Sequence, residues 1–108
     1  MSIYHIVSFS TPDETTLAAL TKALRALEET VITPDGRKAI KSFRGGKQTS
    51  VEGHEKGMKV VFLMEFENDE DLQWYLWKDP AHSDFKSRVK TDFQADGVTV
   101  LDFKDGAY

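Results

Sequence analysis

The chain has 108 residues, 40% of them apolar and 30% charged, with 14 basic against 18 acidic side chains and no cysteine. Such a length reads as one domain over residues 1–108 that buries roughly 65% of its unfolded surface. The lack of cysteine excludes disulfides, thiolate zinc sites, iron–sulfur clusters and thiol nucleophiles, and a net charge of −4 leaves no basic surplus for nucleic acid or anionic membranes.

Ile3, His5, Val7 and Phe9 alternate with Tyr4, Ile6, Ser8 and Ser10, the period of two that marks a strand. Thr11-Pro12-Asp13-Glu14 reads as a helix start, with Thr11 as cap, Pro12 in the first turn and Glu14 completing a capping box. Leu17, Leu20, Leu24, Leu27 and Val31 then form one apolar stripe at helical spacing. Thr33-Pro34-Asp35-Gly36 carries turn chemistry and ends that helix. A short strand is predicted over 39–44, followed by a polar, glycine-containing loop over 45–57.

Residues 58–67 form the strongest strand, with Val60, Phe62, Met64 and Phe66 on one face and Val61 and Leu63 on the other. Asn68 to Asp71 caps a second helical region bearing Leu72, Tyr75 and Leu76. Asp79-Pro80 interrupts it, because the residue before proline is driven out of the helical basin, and Asp79 caps a new segment that presents His82, Phe85, Val89 and Phe93. Ala95-Asp96-Gly97 ends this segment, and a last strand over 98–103 is apolar in both registers. The N-terminal stretch lacks a basic leader and no apolar run reaches transmembrane length, so a cytoplasmic location without membrane contact is expected.

Strand, helix, strand, strand, broken helix, strand is the βαββαβ order of a ferredoxin-like α+β fold, an antiparallel sheet with helices on one face. Two helices can cover only one face of a four-stranded sheet, yet the strands are apolar on both. The uncovered face therefore calls for a second copy of the chain.

His82 is the leading candidate for chemistry. Its place in the first turn after the Asp79 cap and on an apolar stripe disfavours the imidazolium, and a neutral imidazole is what a general base requires. The competing reading is a core histidine bonded to a backbone carbonyl. His5 sits among apolar neighbours on the first strand, where a satisfied core histidine is the commoner outcome. Two inward histidines on facing elements nevertheless point to a polar spot in a shared cavity. Tyr75 offers a hydroxyl to an oxyanion in that cavity, or is a core aromatic. Trp74 and Trp77 fall off the stripe and are expected against neighbouring elements or a dimer seam. His54, beside Glu52 and Glu55, reads as part of a solvated loop rather than a metal site. No phosphate loop and no G-x-S-x-G elbow is present.

Tyr4-His5-Ile6-Val7, the strand after Gly57 ending Met64-Glu65-Phe66-Glu67, the stretch from Tyr75 through Asp79-Pro80-Ala81-His82 to Phe85, and the closing Val100-Leu101-Asp102-Phe103 together carry a resemblance. The chain resembles the stress-responsive dimeric α/β-barrel domain family over nearly its whole length, including that family's polyketide cyclases of the olivetolic-acid type. The resemblance implies a homodimer closing into an α/β barrel. For a cyclase-like member it also implies a small hydrophobic, polyketide-like ligand and cyclisation or proton abstraction without a cofactor or metal. His82 then matches the base, Tyr75 its assisting tyrosine and His5 a pocket histidine, and Val7, Phe9, Val60, Phe85 and Val89 are the expected substrate-binding walls. Two departures from the cyclases are an interval from Tyr75 to His82 one residue longer and Val60 in place of a pocket histidine. The family equally includes members without an assigned reaction, so a non-enzymatic stress-linked structural or carrier protein is the alternative. A cofactor-free oxygenase follows from fold analogy alone.

Overall fold

The computed structural model describes residues 2–108. Its elements are β1 (Ile3–Ser10), α1 (Glu14–Arg25), α2 (Leu27–Thr30), β2 (Ile40–Lys47), β3 (Val60–Phe66), α3 (Asp69–Trp77), α4 (Pro80–Arg88) and β4 (Gly97–Lys104). The four strands form one antiparallel sheet in the order β2-β3-β1-β4. This is the ferredoxin-like arrangement, and the alternation read along β1 and β3 places their core faces correctly.

Four local features differ from expectation. Asp13, not Thr11, caps α1. Its carboxylate accepts from the Thr16 N–H at 2.8 Å, Thr16 rather than Glu14 completes the capping box, and Thr11 donates to the Asp13 carbonyl. Pro12 thus stays outside the helix, and its ring keeps Thr11 extended. The stripe from Leu17 to Val31 is not one helix. The chain breaks at Ala26 into α1 and the single turn of α2, and Val31 leaves in extended geometry while remaining buried. Residues 90–93 leave the helix after Val89, although Phe93 still reaches the core.

The fourth difference concerns β2, which continues through Gly45 and Gly46 to Lys47, so the open loop begins only at residue 48. Glycine usually reads as loop, but here Gly45 is a packing requirement. A Cβ there would lie 2.8 Å from both the Phe62 ring and the Val61 carbonyl. A side chain cannot be added without displacing backbone.

Leu17, Leu20 and Leu24 from α1 and Leu72 and Tyr75 from α3 pack on Val7, Phe62, Met64 and Phe66 of the sheet. Phe85 of α4 meets Phe9 at 6.1 Å between ring centroids. On the opposite face the register aligns Arg44, Leu63, Ile6 and Leu101 in one row across all four strands. In the neighbouring row Tyr4 stacks on Phe103 at 5.1 Å. No helix covers these rows, and Val61, Leu101 and Phe103 stand exposed. None of the helices is long and apolar enough to cross a membrane, among the described residues.

Candidate active site

The break between α3 and α4 positions the chemistry. Asp79 leaves α3 in extended geometry, its carboxylate accepts from the His82 N–H at 2.6 Å, and Pro80 opens α4. The sharp turn lays His82 back over α3. Its ring stacks on Tyr75 with centroids 3.9 Å apart and planes 9° from parallel. His82 Nδ1 lies 2.7 Å from the Tyr75 carbonyl oxygen. A carbonyl can only accept, so Nδ1 carries the proton and Nε2 holds the bare lone pair.

Among the described residues, no fully buried side-chain nitrogen or oxygen lacks a partner. Among those residues neither His82 Nε2 nor the Tyr75 hydroxyl has a partner, so both reach accessible space. That space is a cleft of about 510 Å³ between β1, β4 and the α3–α4 pair, onto which His5, Tyr75 and His82 all open.

Burial pushes the His82 imidazolium down to about 4, with the charges of Lys86 and His5 adding to the effect against the opposing hydrogen bond that the ring donates to the Tyr75 carbonyl. The ring is therefore neutral across the physiological range. Burial also drives the Tyr75 phenol upward, reinforced by the carboxylates of Asp79 and Asp102, which keeps its proton available for donation. His5 presents its ring edge to Tyr75 at 5.6 Å, and its Nδ1 lies 2.5 Å from Asp102 Oδ1. The carboxylate accepts, which assigns the proton to Nδ1 and leaves Nε2 as the second imidazole nitrogen without a partner.

Val7, Phe9, Phe85 and Val89 line this cleft as expected, beside the three polar residues. Val60 does not. It is buried on β3 and faces a separate cleft of about 620 Å³ between α1 and the β2–β3 edge, which no histidine or tyrosine lines. β1 lies between β3 and β4 in the sheet, and Val60, at the start of β3, lines the α1 cleft and not the one that holds His82. His54 lies on the exposed loop away from both clefts. Trp74 packs on the core and donates its indole N–H to the Ile32 carbonyl at 2.9 Å, whereas Trp77 stays 72% exposed at the cleft mouth.

Asp102 is the partner of a candidate site residue that sequence reasoning did not single out. It faces His5 across the β1–β4 register, and its only trace in the sequence is its shared parity with Val98 and Val100. Lys86 and Lys90 likewise line the cleft from α4 and the turn after it.

No protein of curated function matches the sequence significantly. Among solved structures, the At3g17210 protein of Arabidopsis thaliana is similar at 25% identity over 98% of this chain and 97% of that one, with a TM-score of 0.77. A dimeric ferredoxin-like protein of unknown function from Jannaschia sp. aligns at 22% identity over 96% of this chain and 99% of its own, with a TM-score of 0.72. A hydroxynitrile lyase from Passiflora edulis shares the fold at 13% identity, covering 99% of this chain and 96% of its own, with a TM-score of 0.78. Residues 3–105 match the family described as the stress responsive A/B barrel domain. The chain belongs to that family.

Proposed function

We propose that this protein is a homodimer that binds a small apolar carbonyl compound in the α3–α4 cleft and withdraws a proton beside the carbonyl without a cofactor. The observation that carries this reading is the state of His82: neutral, protonated at Nδ1, and bare at the Nε2 that faces the cleft. A base whose conjugate acid lies near 4 is ready at neutral pH but weak. It suits a C–H flanked by two carbonyls, such as a polyketide-like chain presents, with the Tyr75 phenol donating to the oxygen that gains charge. His5, held by Asp102, orients the substrate through Nε2. Ring closure follows when the enolate carbon attacks a second carbonyl of the same chain. Its electron pair forms the new C–C bond, and the carbonyl oxygen takes up the proton.

The dimer reading rests on the apolar outer face, where Leu63, Ile6 and Leu101 form an uncovered row beside the stacked Tyr4 and Phe103. The similar Jannaschia protein is described as dimeric. Sedimentation should give a dimer at micromolar concentration and a monomer for Leu101→Asp. A wild-type monomer at tens of micromolar refutes the assembly.

The catalytic reading is tested with a linear 1,3-diketone in deuterated buffer, following loss of the methylene proton signal by NMR. The protein should accelerate exchange above buffer, and His82→Gln should abolish the acceleration while leaving the circular dichroism spectrum unchanged. Cleft resonances that shift without accelerated exchange identify a carrier instead, the alternative function. Absence of both refutes a ligand site here.

A further inference from the structure

The cleft is polar at one end and basic at the other. His5, Tyr75 and His82 gather at the end where α4 begins, and Val7 of β1 with Val100 of β4 supplies an apolar middle. Lys86 and Lys90 follow along α4 and its succeeding turn, one and two turns beyond His82 on the same face. No carboxylate lines the cleft, although the chain as a whole carries a net charge of −4. The nearest acids are already engaged: Asp79 caps α4 at its backbone, and Asp102 holds His5. Lys86 donates to the Leu76 carbonyl at 2.8 Å and lies over the Trp77 ring at 5.5 Å, which keeps its ammonium at the cleft mouth with N–H groups to spare. Lys90, also on the cleft wall, has no anionic partner among the described residues.

Resting on the proposed function, we infer that the ligand is an apolar keto acid bound lengthwise, its carbonyl against His82 and Tyr75 and its carboxylate at Lys86 and Lys90. A helix advances about 1.5 Å per residue, so the Lys86 backbone stands roughly 6 Å along the axis from that of His82, and Lys90 lies beyond it in the turn after α4. An extended alkyl chain reaches this stretch of the wall when roughly five or more bonds separate carboxylate from carbonyl. The lysines supply the charge that selects an anion over a neutral chain of equal length. Partly exposed pairs of this kind discriminate by about 3- to 10-fold at low salt and less at high salt.

The test is a binding titration by NMR with a straight-chain methyl ketone carrying a terminal carboxylate about eight bonds from its carbonyl, against its methyl ester. In the wild-type protein the acid should bind about 5-fold more tightly than the ester. Lys90→Met should remove much of that preference for acid over ester, and Lys90→Arg should restore it. Lys86→Met should weaken the acid further, with the dispersion of the amide spectrum reporting any cost to its contact with Leu76 and Trp77. Acid and ester binding equally well in the cleft overturns this inference but leaves the proposed function standing. Failure of both ligands to perturb His82, Tyr75 or Val100 overturns the proposed function itself.

Discussion

Protonating His82 should destabilise the fold by an amount its environment sets. The folded imidazole titrates at about 4, against 6.5 for the unperturbed side chain. Between those values the unfolded chain binds the proton and the folded chain does not, so stability falls as pH drops through this window and is fully present above it. At about pH 4.5 the unfolded ring is almost wholly protonated and the folded ring is about one-quarter protonated. The difference costs about 2–3 kcal/mol relative to neutral pH. With a urea slope of about 1.5 kcal/mol per molar, the unfolding midpoint should fall by about 1.3–2 M from this group alone. The depressed carboxylates Asp13, Asp35, Glu65 and Asp92 also lose stability on acidification, but chiefly at lower pH and alike in any variant at position 82. The assay is therefore urea denaturation of wild type and His82→Gln at about pH 7, 5.5 and 4.5. Glutamine does not titrate and can still donate toward the Tyr75 carbonyl. Wild type should lose about 2–3 kcal/mol more than the variant across the series. Parallel loss in both proteins would mean that His82 is not held neutral by burial, and the reasoning fails.

Three further outcomes are expected. Gly45→Ala should destabilise by about 1–3 kcal/mol, because its Cβ meets the Phe62 ring and the Val61 carbonyl at 2.8 Å; thermal unfolding within a degree of wild type would contradict that packing. Asn68→Ala removes the acceptor for the Asp71 N–H at the start of α3 and should cost about 1 kcal/mol, read as a lower urea midpoint with unchanged slope. Tyr75→Phe keeps the stacked ring and removes only a hydroxyl that opens on the cleft. It should leave the melting temperature nearly unchanged while lowering diketone proton exchange at least 10-fold, and full retention of exchange would exclude the phenol as donor.

The elements most legible in the sequence were those where pattern and capping agree. Alternation along β1 and β3 revealed their core faces, and Asp79-Pro80 placed both the break in the helical region and His82 in the turn after it. The meeting of His5, Tyr75 and His82 at one cleft followed from those elements, because each side chain lay on the inward face of its own segment. What escaped depends on partners distant in the chain. Asp102 comes to His5 only through the antiparallel register of β1 and β4, which no local pattern reports. Val60 shares a strand face with core residues, yet at the start of β3 it lines the α1 cleft and not the one that holds His82. β2 runs through Gly45-Gly46 because the neighbouring Phe62 demands space there, although glycine pairs read as loop. The break at Ala26 has no proline or glycine to announce it. At Thr11-Pro12-Asp13 two capping residues competed, and the aspartate prevailed because its carboxylate reaches the Thr16 N–H while proline holds Thr11 extended.

The central claim is that His82 stands at the cleft as a neutral base with its lone pair on Nε2. Long-range proton–nitrogen NMR of the imidazole rings at neutral pH measures this directly. The account predicts a protonated Nδ1 and a bare Nε2 for His82, persisting on acidification until about pH 4. A proton on Nε2, or a titration midpoint near the unperturbed 6.5, would contradict it.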